Sequence, residues 1–147
     1  MKSYNDLKVY QDSFELFMKV HRFSLRLPKY ELYEQGSQLR RSADSVNSNI
    51  VEGYGRKSYK KDFLRFLTFA HASNCETINH LRKIAAVYPS HKEEALKLIA
   101  RYDNLGVKLH NFREYVRKSW RTTPTTWQPD NNDNNDNNDN KLIPQAA

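Results

Sequence analysis

Apolar residues recur every three to four positions through most of the first 120 residues, and strict apolar/polar alternation is absent. That period is the period of a helix face, so the chain is committed to helices rather than a sheet. Only four glycines and five prolines occur, and most fall where the pattern pauses. Four segments result. The first is expected from about Asn5 to Leu27, carrying one apolar seam of Leu7, Tyr10, Phe14 and Phe17 and a second of Val9, Leu16, Val20, Phe23 and Leu27. Pro28 should stop it, because the residue before a proline avoids the helical region.

The second segment is expected between about Glu31 and Tyr54, with Gly36-Ser37 able to break off its first turn and Gly53 and Gly55 ending it. Its apolar stripe is Leu32, Leu39, Ala43, Val46 and Ile50. Beside it runs a polar stripe of Gln38, Ser42, Ser45, Asn49 and Glu52. Small polar residues at this spacing favour close helix approach and cross-helix hydrogen bonds, with Ser73 and Glu76 as expected partners; a ligand-lining groove is the other reading. The third segment is expected to start at an N-cap, Ser58, and to stop at Tyr88-Pro89. The fourth opens on Ser90-His91-Lys92-Glu93, a capping-box pattern, and ends near Trp120. Four long helices with short connections predict an all-α, antiparallel up-down four-helix bundle over residues 1–120. The first helix has more apolar face than a lone bundle needs and the second has its additional polar seam; both point to self-association, with surface aromatics as the other reading of the first.

Composition changes after Trp120. Residues 121–129 form a Thr/Pro linker, and residues 130–140 repeat Asp-Asn-Asn. Residues 121–147 are therefore expected to be a disordered tail. The repeat lacks the glycine and terminal glutamate of a calcium-binding EF-hand loop.

The chain's net charge is +7. From Asp130 onward it holds four Asp and one Lys, so residues 1–129 carry a surplus of +10. Such a surplus favours a polyanionic partner through counterion release. Five cations, Arg56, Lys57, Lys60, Lys61 and Arg65, crowd the expected start of the third helix. Cations oppose the helix dipole there, whereas the free amides of a helix start favour an anion, so a bound phosphate would reconcile both. Tyr54 and Tyr59 are placed to stack on bases, and Arg40 and Arg41 extend the basic surface. A solvated cationic helix face, with Asp62 offsetting one charge, is the alternative.

Signs of chemistry are otherwise missing. There is no Gly-x-Ser-x-Gly, phosphate loop or dinucleotide fingerprint. Glu76 and His80 have the wrong spacing for a di-iron site, and His71 with Cys75 supplies only two ligands. The expectation is a non-enzymatic protein with no cofactor and no metal. No run of about 18 apolar residues spans a membrane, and MKSYNDLKVYQD has no signal-peptide core, so a cytoplasmic location and no membrane partner are expected.

The segment Gln38-Leu-Arg-Arg-Ser42 through Asn49-Ile-Val-Glu52-Gly53-Tyr-Gly-Arg56, then Asp62-Phe-Leu-Arg65, Ala70 through Glu76 and Leu81, resembles the four-helix bundle family of 23S rRNA intervening-sequence proteins, also labelled S23 ribosomal protein. Asp6-Leu-Lys-Val-Tyr10-Gln matches as well, and the likeness covers about residues 4–119. A more distant likeness is to the accessory protein of diversity-generating retroelements. The resemblance implies a bacterial homopentamer, with RNA or DNA and a nucleic-acid-processing protein such as a polymerase or reverse transcriptase as candidate partners. His71 and Asn74-Cys75 replace small residues of the family pattern, so packing there is expected to differ. Two functions follow as expectations: RNA binding through phosphate contacts, and a protein-interaction scaffold.

Overall fold

A computed structural model describes residues 3–122. The described residues form four α-helices and no strand: α1 Lys8–Leu25, α2 Gln35–Gly55, α3 Lys60–Val87 and α4 Lys92–Ser119. Each packs on its chain neighbours, and α1 closes the ring against α4, giving the expected up-down four-helix bundle. The α2–α3 pairing is the most extensive and α1–α4 the least. The linker and Asp/Asn tail expected after Trp120 lie outside the described residues, apart from Arg121 and Thr122.

The core is built from the stripes read in the sequence. Leu16, Val20 and Phe23 of α1 meet Leu39, Ala43, Val46 and Ile50 of α2, Leu67, Leu81 and Ile84 of α3, and Tyr102, Leu105 and Leu109 of α4, all buried. The two seams of α1 differ in burial. Val9 and Leu16 turn inward, while Phe14 is exposed and Tyr10 and Phe17 are half-buried. Phe14, Met18 and Leu25 thus leave an apolar stripe on the outside of α1.

Helix ends depart from the sequence reading, each for a local reason. Ser3 and Asp6 form a capping box that winds Tyr4–Asp6 into a separate 3-10 turn, and extended Leu7 delays α1 to Lys8. The first turn of the second segment does break away, but before Gly36. Lys29–Leu32 is a 3-10 turn, and α2 starts at Gln35 because the buried Glu31 carboxylate accepts from the Gln35 amide at 2.9 Å. Tyr88 donates to the other Glu31 oxygen, tying this corner to the end of α3. Gly36 is needed here, since a Cβ would lie 2.6 Å from the Glu31 carbonyl oxygen. The capping box expected at Ser90 does not form. Pro89–His91 is a 3-10 turn, and α4 begins at Lys92 with no side-chain cap. The His91 ring instead sits edge-on to Phe23 and Tyr88.

Asp12 ties the weakest side of the ring together. It is 8 % exposed and bridges Lys8 in its own helix at 3.1 Å and Lys108 of α4 at 2.7 Å. Burial pushes the Asp12 carboxyl up, but the hydrogen bonds and charges of Lys108 and Lys8 outweigh burial and hold it below its ordinary value. A depressed carboxyl stabilises the fold fully above the unfolded-state value of 3.8, and that contribution is lost as pH falls through the folded-state value. Asp12→Asn is expected to cost about 1–2 kcal/mol at neutral pH, the half-exposed Lys108 limiting the loss. In urea melts the difference from the parent should shrink below about pH 4; a constant gap there would show that the ion pair is not its source.

Candidate nucleic-acid interface

Four side chains hold the corner where α2, α3 and α4 meet. Phe63, fully buried at the start of α3, has its ring against Tyr54 of α2 at 6.3 Å, Phe112 of α4 at 6.0 Å and Trp120 at 5.2 Å. Trp120 donates its indole Nε1–H to the Lys57 carbonyl at 3.0 Å, fastening the end of α4 to the turn before α3. Gly53 is not a helix terminator. It is buried inside α2, where a Cβ would come within 3.0 Å of Phe66 Cβ and 3.3 Å of Phe63 Cδ2. Its lack of a side chain lets α2 lie close against α3.

The basic cluster is displayed on this corner. Lys57 lies in the turn rather than on the helix, because α3 begins at Lys60 with Tyr59 at the N-cap and no side-chain cap; Ser58 does not cap it. A spacing of four would put Lys57, Lys61 and Arg65 on one helix face, but only Lys61 and Arg65 lie on α3, and Lys57 precedes it in the turn. Lys57 Nζ sits 4.2 Å from the centre of the Tyr54 ring and donates to its hydroxyl at 3.1 Å. That buried Tyr54 cannot stack on a base, while Tyr59 is 65 % exposed.

Arg56 is a different kind of cation. It donates to Glu52 at 3.0 Å, lies 3.6 Å from Asp62, and spreads over the Phe66 ring at 4.9 Å. The hydrogen bond to Glu52, followed by the charges of Glu52 and Asp62, raises its pKa and largely offsets its field. Among the described residues, Lys57, Lys60, Lys61 and Arg65 form no ion pair. Arg65 lies 5.4 Å from the centre of the Phe66 ring and 5.8 Å from that of Phe69. These two rings are the part of the surface that sequence reasoning missed. The signal was present: Phe66 and Phe69 are three apart on α3, immediately after Arg65.

Arg40 and Arg41 are not part of this surface. Ser42 faces Thr77 at 2.9 Å and Ser45 faces Ser73 at 2.7 Å, which sets the register of α2 against α3. Arg41 therefore stands roughly 20 Å from the α2 end that carries Arg56, at 1.5 Å per residue. It is exposed. Arg40 is half-buried and donates to Ser24 Oγ at 2.9 Å and to the Leu32 carbonyl, stitching α2 to the end of α1.

The small polar stripe of α2 forms cross-helix hydrogen bonds, as its spacing predicts. Ser45 and Ser73 bond directly, Thr77 joins Ser42, and Asn49 donates back to the Ser45 carbonyl at 2.8 Å. Glu76 is not a partner; it lies 3.4 Å from His80 on its own helix. Gln38 is exposed with no side-chain hydrogen bond among the described residues, and Glu52 serves Arg56 instead. Buried Asn74 crosses to α4 and donates to the Tyr102 carbonyl at 2.8 Å, fitting against Gly106.

A second cationic surface competes for attention. A groove of about 650 Å³ between α1 and α4 is lined by Lys19, Arg22, Arg26, Lys97 and Arg101 around Leu98. Most of its charge is compensated: Arg26 pairs with Glu94, Lys97 with Glu93, and Lys19 and Arg101 both with Glu15. Elsewhere, His71 Nδ1 and Cys75 Sγ lie 4.0 Å apart. Among the described residues no group of three or more His, Cys, Asp or Glu is placed to hold a metal ion.

Comparison with protein families matches residues 5–111 to the 23S rRNA-intervening sequence protein family. The chain belongs to that family. No curated protein matches it. The matched region of this intervening-sequence protein takes in α1, α2, α3 and most of α4, and with them the five cations from Arg56 to Arg65. It stops short of Trp120, so the indole that fastens α4 to Lys57 lies beyond the family match. No helix of the described residues is long and apolar enough to cross a membrane.

Proposed function

We propose that this intervening-sequence protein is a non-catalytic RNA-binding bundle that grips the phosphate backbone with the start of α3. Lys57, Lys60, Lys61 and Arg65 make the contacts, and Arg56 holds the corner in shape. The observation that carries this reading is that, among the described residues, these four cations have no acidic partner, and they lie beside exposed Tyr59 and Phe69. The cations of the α1–α4 groove, in contrast, are mostly neutralised by glutamates. A helix start with no side-chain cap adds amides suited to an anion. The rings offer bases a face to stack on without reading their identity.

Binding of single-stranded RNA should then weaken steeply with salt. Four phosphate contacts give a log–log slope of about −3, at roughly 0.7 per phosphate for single strands. Base composition should matter little. A slope near zero, or strong preference for one sequence at equal length, would overturn the reading.

The outer stripe of α1 supports a second element, a homo-oligomer. Phe14, Met18 and Leu25 are exposed apolar residues on one helix, a surface that a second copy would cover. A pentamer is the state the family likeness implies. Light scattering on the full chain is expected to give an oligomer, and Phe14→Glu with Met18→Glu a smaller species. A monomeric parent protein would remove this element and leave the phosphate contacts to be judged separately.

A further inference from the structure

We propose that the acidic segment of the same chain from Asp130 to Asp139 docks on the basic start of α3 and competes there with nucleic-acid phosphate. The competition rests on the phosphate-binding reading above; the docking does not.

The first support is where the chain leaves the bundle. Trp120 ends α4 and is held against Phe63 and the Lys57 carbonyl, so the following residues depart from the basic corner itself. Asp130 is ten residues past Trp120, a span of at most about 36 Å. Trp120 is already bonded to Lys57, so reach does not limit contact. Tethering keeps the carboxylates at high effective concentration beside the cations.

The second support is charge. The segment carries Asp130, Asp133, Asp136 and Asp139, and at the corner Lys57, Lys60, Lys61 and Arg65 have no acidic partner among the described residues. Asp62, which could have neutralised one of them, is turned to Arg56 instead. Carboxylates and phosphates accept the same charge-assisted hydrogen bonds from Lys and Arg.

Spacing decides which anion prevails. The segment offers one charge every three residues, about 10 Å apart at full extension. A nucleic-acid strand in a duplex offers one about every 3.4 Å. The segment is thus the weaker ligand: close enough to occupy an empty corner, too dilute in charge to hold it against a long polyanion. The effect would be to suppress binding of weak or short anions.

Zero-length carbodiimide crosslinking of the full chain, without nucleic acid, tests the docking. Amide links from Asp130–Asp139 are expected to concentrate on Lys57, Lys60 and Lys61 and to fall several-fold between about 20 mM and 500 mM salt. Links spread evenly to Lys83, Lys92 and Lys97, at the far end of the α3–α4 hairpin, would overturn it, as would a yield indifferent to salt. The variant with Asp130, Asp133, Asp136 and Asp139 all changed to Asn keeps the length and removes the charge. It should bind single-stranded RNA several-fold tighter at low salt, the two curves converging at high salt. Equal binding at low salt would overturn the competition. RNA that binds neither protein would overturn the phosphate-binding reading instead, and the crosslinks would still decide the docking.

Discussion

Replacing Lys57, Lys61 and Arg65 together by glutamate is expected to abolish RNA retention in a filter-binding assay, a loss of at least about a hundredfold near 0.1 M salt. Three lost phosphate contacts remove roughly two from the salt slope, and reversal adds repulsion between each new carboxylate and the strand. The substituted side chains lie outside the core, so the helical circular-dichroism spectrum should be kept. Net charge alone could produce part of this effect. A second triple variant, Lys19→Glu, Arg22→Glu and Lys97→Glu, makes the same change in net charge within the α1–α4 groove. It is expected to weaken binding only a few-fold, because long-range fields between exposed charges are screened beyond about 10 Å at 0.1 M salt. Equal losses in the two variants would mean that the protein binds as a diffuse cation and that the corner has no special role.

Phe63→Ala is expected to have the largest effect on stability, about 3–5 kcal/mol. Phe63 has no exposed surface and is the ring on which Tyr54, Phe112 and Trp120 converge. Its loss leaves a cavity bounded by three helices, none of which can close it without giving up its own packing. Domains of this size are commonly stable by only about 5–15 kcal/mol, so the variant should unfold well below the parent in a thermal melt. Phe63→Leu fills part of the space and should recover about half of the loss. A cost below 1 kcal/mol for the alanine variant would show that the corner is not closed as described. The two predictions separate cleanly: the charge variant should lose binding and keep its melt, and Phe63→Ala should lose its melt first.

The fold was largely legible because it rests on a repeating signal. Leu39, Ala43, Val46 and Ile50 mark one face of α2 at helical spacing, and all four are buried. The Ser45–Ser73 pairing was legible too, since small polar residues on a close-packed seam have few other partners. What escaped were single-residue choices between neighbouring solutions of similar energy. Ser58 and Ser90 both carry N-cap chemistry, yet Tyr59 and His91 hold those positions, because the turn before α3 and the 3-10 turn at Pro89 set where each helix can begin.

The sequence by itself determined four amphipathic helices, their order and the presence of a basic cluster before Phe66, because periodicity and charge are properties of neighbours along the chain. Only the tertiary structure decided which of those cations are free. Arg40 is spent on Ser24 and Leu32, sixteen and eight residues away. Arg56 is shared between Glu52 and Asp62 across the α2–α3 turn. Arg41 is carried to the other end of α2, and Trp120 is brought back sixty-three residues to Lys57. Electrostatic availability depends on which partners the fold brings within a few ångströms, and helix spacing along one chain does not contain that distance.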